Sequence, residues 1–171
     1  MAFSVVKLDV DLVDEIVKIE SELIQKTTRE KVLKTIENKN PIYFVLKNDD
    51  TVLGFVELSL IEPEAEIFDI AIKTEFQGNG YSKILMDYVI DFVKNNNVET
   101  IFLEVNNINK KAIALYEKYG FQKYSVRKKY YGENDAVLMK KTIWFLILMF
   151  NEIFKVWLFE KVYCVFAWLG S

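Results

Sequence analysis

A chain of 171 residues with a formal net charge of −3 is long enough for one domain with a sizeable core, and it carries no basic stripe that would bind nucleic acid directly. It has no histidine and a single cysteine, Cys164, which excludes a disulfide framework, histidine-based triads and histidine-containing metal sites. Acid–base chemistry is left to carboxylates, tyrosine, lysine, the thiol or water.

The opening MAFSVVKLDV reads as a strand over 3–8 followed at once by charge, not as a secretory signal, so the expected compartment is the cytoplasm. Asp11 is placed as the N-cap of a helix whose inner stripe is Leu12, Ile16, Ile19 and Leu23. A second helix is predicted from Thr27, because Thr27 and Glu30 have capping-box spacing, with Val32, Leu33 and Ile36 facing inward. Strands over 42–47 and 52–61, joined by Asn48-Asp49-Asp50, form a hairpin signal. The acidic stretch Glu62-Pro63-Glu64-Ala65-Glu66 reads as a solvated turn, or as a helper in holding a cationic substrate, and leads into an apolar strand over 67–72.

That strand runs into Gln77-Gly78-Asn79-Gly80-Tyr81-Ser82, and a helix is predicted from Ser82 to about Asn95. Its apolar face is Ile84, Leu85, Tyr88, Val89 and Phe92. A strand, a Gly-containing loop and a helix N-terminus together make a pocket for phosphate, since the first amides of a helix lack internal partners and its dipole favours an anion. Gly78 and Gly80 allow the tight turn. A Gly-Asn-Gly turn of this kind is more often plain turn chemistry, so the loop alone decides nothing.

A strand over 100–105 alternates, with Ile101, Leu103 and Val105 on one side and Phe102 and Glu104 on the other. Asn109 caps a further helix bearing Ala112, Leu115, Tyr116 and Tyr119 at helical spacing, and Gly120 ends it. Strands over 121–128 and 136–141 close the fold around a loop containing Tyr130 and Tyr131. The order predicts an α/β chain in the α+β sense: a mixed sheet with helices on both faces. Taken singly, Glu104 reads as a strand-end carboxylate and Tyr116 as a packing residue.

Composition changes after Lys141. All three tryptophans and the cysteine lie beyond it, so residues 1–141 are expected to form the domain and 142–171 a hydrophobic, aromatic-rich tail. Its first apolar run, 143–150, is too short for a bilayer span, which needs about twenty residues. A membrane-interface helix, a surface for a partner or a second copy, and sequence extraneous to the natural domain all fit the tail. Composition favours the last.

The loop Gln77–Ser82 resembles the phosphate loop Q/R-x-x-G-x-G/A of the GNAT superfamily of acetyl-CoA-dependent N-acetyltransferases, with Ser82 at the final Gly or Ala. Three segments, EAEIFDIAI (64–72), LEVNNINKKAIALYEKYGF (103–121) and RKKYYGENDAVLM (127–139), resemble the RimI-type protein N-terminal acetyltransferases within it. The chain departs from that group at Asn106 and Ile108, where Arg and Ser are common, and at Ile24-Gln25-Lys26-Thr27, which replaces an aromatic-Pro-Trp segment.

The resemblance implies the GNAT fold, a central, mostly antiparallel twisted sheet, and acetyl-CoA as co-substrate with no metal. The implied pyrophosphate site is Gln77, Gly78, Asn79, Gly80, Tyr81, Ser82 and Lys83, the latter six through their amides. The pantetheine arm would run beside Ile70, Ala71 and Ile72, with a contact from Asn109. Glu104 is implied as general base, Tyr116 as general acid, and Tyr130 and Tyr131 as lining for the acceptor. Asp69 is either a second candidate base or a hydrogen-bonded structural residue. The expected acceptor is a protein N-terminal α-amine, as on a ribosomal protein, because its pKa of about 8 demands less of a base than a lysine at about 10.4. Acetylation of a small amine (a polyamine, aminoglycoside or amino acid) is the alternative, and a non-catalytic acetyl-CoA-binding or membrane-docked module is a third reading.

Overall fold

The computed structural model describes residues 2–23 and 27–143. Stretches rich in β-branched and aromatic residues give seven strands: β1 (Phe3–Lys7), β2 (Ile42–Asn48), β3 (Thr51–Ile61), β4 (Glu64–Ile72), β5 (Thr100–Asn106), β6 (Gln122–Tyr131) and β7 (Asn134–Thr142). Helices α1 (Val13–Leu23) and α2 (Arg29–Asn38) separate β1 from β2, α3 (Tyr81–Lys94) separates β4 from β5, and α4 (Lys110–Lys118) separates β5 from β6. The strands form one sheet in the order β1-β2-β3-β4-β5-β7-β6. Every described pairing is antiparallel except β4 with β5, the mixed architecture anticipated from the residue order.

Each face of the sheet buries a separate helical stripe. Val13, Ile16 and Ile19 of α1 and Val32 of α2 pack with Tyr43, Val45 and Phe55. Leu85, Met86, Val89 and Val93 of α3 and Tyr116 of α4 pack on the other face with Phe44, Leu46, Val56, Ile101 and Leu103. Full burial of each large aliphatic side chain contributes about 1.5–3 kcal/mol, so these two stripes hold the helices to the sheet. The strand alternation of β5 is as anticipated: Ile101, Leu103 and Val105 are buried and Glu104 is half-buried.

Several boundaries differ from expectation, each for a local reason. Asp9, not Asp11, makes the first cap: its carboxylate accepts from the amides of Asp11 and Leu12, and a 3-10 turn (Val10–Leu12) precedes α1. Thr28, not Thr27, caps α2, its hydroxyl accepting from the Lys31 amide at 3.2 Å. Thr27 Oγ1 is buried without a partner among the described residues. β4 begins at Glu64, so the acidic stretch is only briefly a turn, and Glu64 and Glu66 are strand residues paired with Thr100 and Phe102.

The β6–β7 connection is also strand for most of its length. Register slips between Arg127 and Tyr131, where Lys129 takes a left-handed φ of 53°. The Asp135 carboxylate holds that bulge, accepting from the Lys129 amide at 3.0 Å and the Lys128 ammonium at 2.8 Å. Gly120 ends α4 with φ 83°; its amide donates to Glu117 O and that of Phe121 to Tyr116 O, a paired C-terminal cap. Ile143 still packs into the core beside α3. The rest of the proposed tail, 144–171, lies outside the described residues, as do 24–26. No described helix is long and apolar enough to cross a membrane.

One glycine is required by packing. A Cβ on Gly54 in β3 would fall inside the van der Waals envelope of the Ala71 carbonyl oxygen and 2.6 Å from Ile72 Cδ1. Gly54→Ala is expected to lower the unfolding free energy by about 1–3 kcal/mol in a urea titration, by prising β4 from β3.

Candidate functional site

β4 and β5 run together only from Glu64–Thr100 to Ile67–Leu103. At that point β4 gains an extra residue: Leu58 of β3 pairs with Ile67 and Glu57 with Asp69, leaving Phe68 as a bulge. Beyond it β4 follows β3, with Asp69, Ile70, Ala71 and Ile72 opposite Glu57, Val56, Phe55 and Gly54. β5 instead follows β7, with Glu104, Val105 and Asn106 opposite Leu138, Val137 and Ala136. The sheet therefore opens, and the facing edges of Asp69–Ile72 and Glu104–Asn106 present backbone groups that an extended ligand could pair with.

On the α3 side the opening leads into a cavity of about 220 Å³ lined by Ile70, Ile72, Gln77, Gly78, Gly80, Tyr81, Ser82, Lys111, Ala112 and Leu115. Gly78 and Gly80 both have φ 82°, a left-handed backbone that L side chains disfavour. The amides of Gly78, Asn79, Gly80, Tyr81 and Ser82 find no acceptor among the described residues, whereas that of Lys83 donates to Gly80 O at 3.0 Å. Consecutive open amides at a helix start suit an anion.

Side chains in this loop shape it. Gln77 Nε2 donates to Ile72 O at 3.0 Å, tying the loop to the end of β4, and Asn79 Nδ2 donates to Phe76 O at 3.1 Å. The Tyr81 ring packs against Phe3, centroids 5.4 Å apart. Asn109 Oδ1 accepts from the Ala112 amide at 3.1 Å, capping α4. Lys111 was not singled out from sequence; its signal was a cation in the first turn of the helix facing the anion loop.

The opposite side of the opening holds a cavity of about 300 Å³, lined by Ser59, Glu64, Glu66, Phe102, Glu104, Tyr124 and Arg127 among others. Glu104 and Arg127 form an ion pair at 2.8 Å, and the Arg127 guanidinium lies 5.0 Å over the Tyr130 ring. Tyr130 and Tyr131 meet edge-on at 5.0 Å. Glu66 has its pKa raised by burial and then by Glu104, with Arg127 pulling the other way. Glu64 and Glu66, which the sequence offers as helpers in holding a cationic substrate, line this cavity, and Arg127 has no local signal in the sequence because its importance depends on a register that brings β6, β4 and β5 together.

Glu104 and Tyr116 lie on different faces of the sheet. Tyr116 is buried among the α3-side residues, its ring 5.9 Å from Phe121. Burial raises its pKa, followed by the charges of Asp69 and Tyr131. The Tyr131 pKa is also raised, by burial and then by Glu104, Tyr130 and Asp69. Tyr131 and Asp69 thus link the two halves electrostatically across the opening.

A second acidic group lies next to Asp69 on the α1–α2 face. Glu20 and Glu57 are 6% and 8% exposed, and the Tyr43 hydroxyl donates to Glu20 Oε1 at 3.0 Å. Burial raises the Glu57 pKa. Asp69 is pushed up to about 7 by burial and then by Glu57 and Glu20, against a lowering from Lys31.

The profile of the acetyltransferase (GNAT) family matches residues 11–121. The [ribosomal protein bS18]-alanine N-acetyltransferase of Salmonella typhimurium is 36% identical over 108 residues, covering 60% of this chain and 73% of the relative. That of Haemophilus influenzae is 35% identical over 112 residues, covering 63% and 76%. The crystal structure of the ribosomal-protein-S18-alanine N-acetyltransferase from Escherichia coli is similar with a TM-score of 0.76 at 26% identity, covering 83% of this chain and 94% of that one.

Raised carboxyl pKa values mean that Glu57 and Asp69 bind protons more tightly folded than unfolded. Their contribution to stability is therefore full at low pH and declines as pH rises from the ordinary carboxyl range toward about 7. Glu57→Gln is expected to flatten that decline and raise the melting temperature at pH 8, read by thermal unfolding across pH; a lower value at pH 8 would contradict it.

Proposed function

The chain belongs to the acetyltransferase (GNAT) family of acetyl-CoA-dependent N-acetyltransferases, and we propose that its acceptor is the α-amine of a protein N-terminus, as on a ribosomal protein. The observation that carries this reading is the identity of about a third with bS18-alanine N-acetyltransferases.

The residues fit the co-substrate. The open amides from Gly78 to Ser82 would hold the pyrophosphate, with the Lys111 ammonium close by, and the exposed edge at Ile70, Ala71 and Ile72 would pair with the pantetheine arm. Asn109 keeps an NH2 free of its capping bond for a further contact. Acetyl-CoA supplies an acetyl thioester, whose carbonyl carbon a neutral amine can attack. An amide of the β4 edge near Ala71 and Ile72 serves as donor to the oxygen that gains charge.

Glu104 stands in the acceptor-side cavity and acts as a base toward the amine, directly or through water. Tyr116, its proton held firmly by burial, donates to the departing sulfur. Tyr130, under the Arg127 guanidinium that lines this cavity, and the adjoining Tyr131 would border the acceptor. The acidic lining of Glu64, Glu66 and Glu104 favours a cation, an observation that also suits a small amine such as a polyamine, so the acceptor class is the point to test.

CoA-thiol release by the full chain, with acetyl-CoA and a panel of peptides and polyamines, is expected only with free peptide N-termini. Tyr116→Phe and Glu104→Gln should each lower kcat by about 10²–10⁴-fold. Release with polyamines alone would overturn the protein acceptor and keep the reaction.

A further inference from the structure

We propose that Asp69 is a second catalytic base: it stands on β4 just past the parting from β5, on the acceptor face, and takes the first proton from the acceptor ammonium. The proposal rests on the acyl-transfer reading and not on which amine is the acceptor. A primary ammonium has two protons to lose before it becomes an amide. One must leave before attack, to free the lone pair. The other leaves from a nitrogen already bonded to the acyl carbon, which is far more acidic and needs only a weak base.

The carboxylates near the opening are placed differently for these two tasks. Glu104 is ion-paired with Arg127, and part of its acceptor capacity is used. Asp69 makes no side-chain hydrogen bond or ion pair among the described residues. It occupies the first position after the Phe68 bulge, beside the Ile70–Ile72 edge that lines the co-substrate cavity. Its charge is felt by both Tyr116 and Tyr131, so it lies within electrostatic reach of the proposed acid on one side and of Tyr131 on the other.

The groups facing it come from every neighbouring element. They are Glu20 of α1, Lys31 of α2, Glu57 of β3, Tyr116 of α4 and Tyr131 of β6. Burial first, then Glu57 and Glu20, raise the Asp69 pKa against a lowering from Lys31, which favours the protonated aspartic acid. The value of about 7 is what a base for an amine near neutrality requires.

In the step, one N–H bond of the ammonium breaks and one O–H bond forms on Asp69, leaving a neutral amine. The nitrogen then bonds the acetyl carbon as the carbon–sulfur bond breaks. The second N–H proton passes to Glu104, and the sulfur takes a proton from Tyr116. One proton per turnover returns to Tyr116 and one leaves to solvent, which balances an ammonium and a thioester against an amide, a thiol and a proton.

The test is the pH dependence of kcat/KM for the full chain, using whichever amine it acetylates, so failure of the peptide reading leaves this outcome readable. The wild type is expected to lose activity below about pH 7, with a limb of slope one. Asp69→Asn should lower kcat/KM by about 10²–10⁴-fold and abolish that limb, while its melting temperature at pH 8 stays equal or rises, showing that the fold is kept. Glu104→Gln should lower the rate and leave the limb in place. Retention of rate and limb in Asp69→Asn, or loss of the limb in Glu104→Gln alone, would overturn the proposal.

Discussion

The site depends on the parting of two parallel strands. Backbone donors and acceptors must be paired or solvated, and a sheet interior normally satisfies them strand to strand. Here β4 keeps its bonds to β3 and β5 keeps its bonds to β7, so each is satisfied on one edge only once Phe68 has bulged out. The remaining edges cannot reach each other, and side chains of both sheet faces become accessible through one opening. Tyr116 packs with the α3-side core and Glu104 lines the far cavity; in the proposed mechanism this opening is what lets both act on one substrate. Gly54 supports the same geometry, since a side chain there would drive β4 off β3.

Electrostatics divides the acceptor face into two carboxylate groups with different environments. Near β5, Glu66 and Glu104 share a cavity with Arg127, whose guanidinium pairs with Glu104 and lies over Tyr130. Nearer the α1–α2 side, Lys31 is the cation that lowers the pKa values of Glu57 and Asp69, against the larger effect of burial. Burial costs an ionised carboxyl far more than it costs a neutral one, so Glu57 and Asp69 hold protons more tightly than free carboxyls, as does Glu66, where Arg127 offsets part of the effect. Glu57 and Asp69 make the folded state less favourable as pH rises.

Much of this was legible from residue order alone, because the relevant signals are local. The hairpin over Ile42–Ile61, the alternation of β5, the Asn109 cap and the Gly120 stop depend on short-range patterns and were read correctly. Caps were misplaced where two candidates stood close together, Asp9 and Asp11 or Thr27 and Thr28, since composition does not say which backbone is extended. Glu64 and Glu66 read as turn because charge and proline mask a strand, and their pairing with β3 and β5 reveals it. Arg127 and the Glu20–Glu57–Asp69 group depend on tertiary register, which no local pattern encodes.

The absence of histidine gives the acidic cluster its meaning. A proton acceptor working near neutrality is ordinarily an imidazole; without one, a carboxyl must be moved upward by burial and like charge. Asp69 at about 7 lies about one unit below an α-amine at about 8 and more than three below a lysine at about 10.4. Proton transfer to it is therefore roughly tenfold uphill from the first and more than a thousandfold from the second. A carboxylate left near the usual 4.3 would face a much steeper penalty with either amine. On this reading, preference for an N-terminus over a lysine follows partly from the base as well as from the shape of the acceptor cavity.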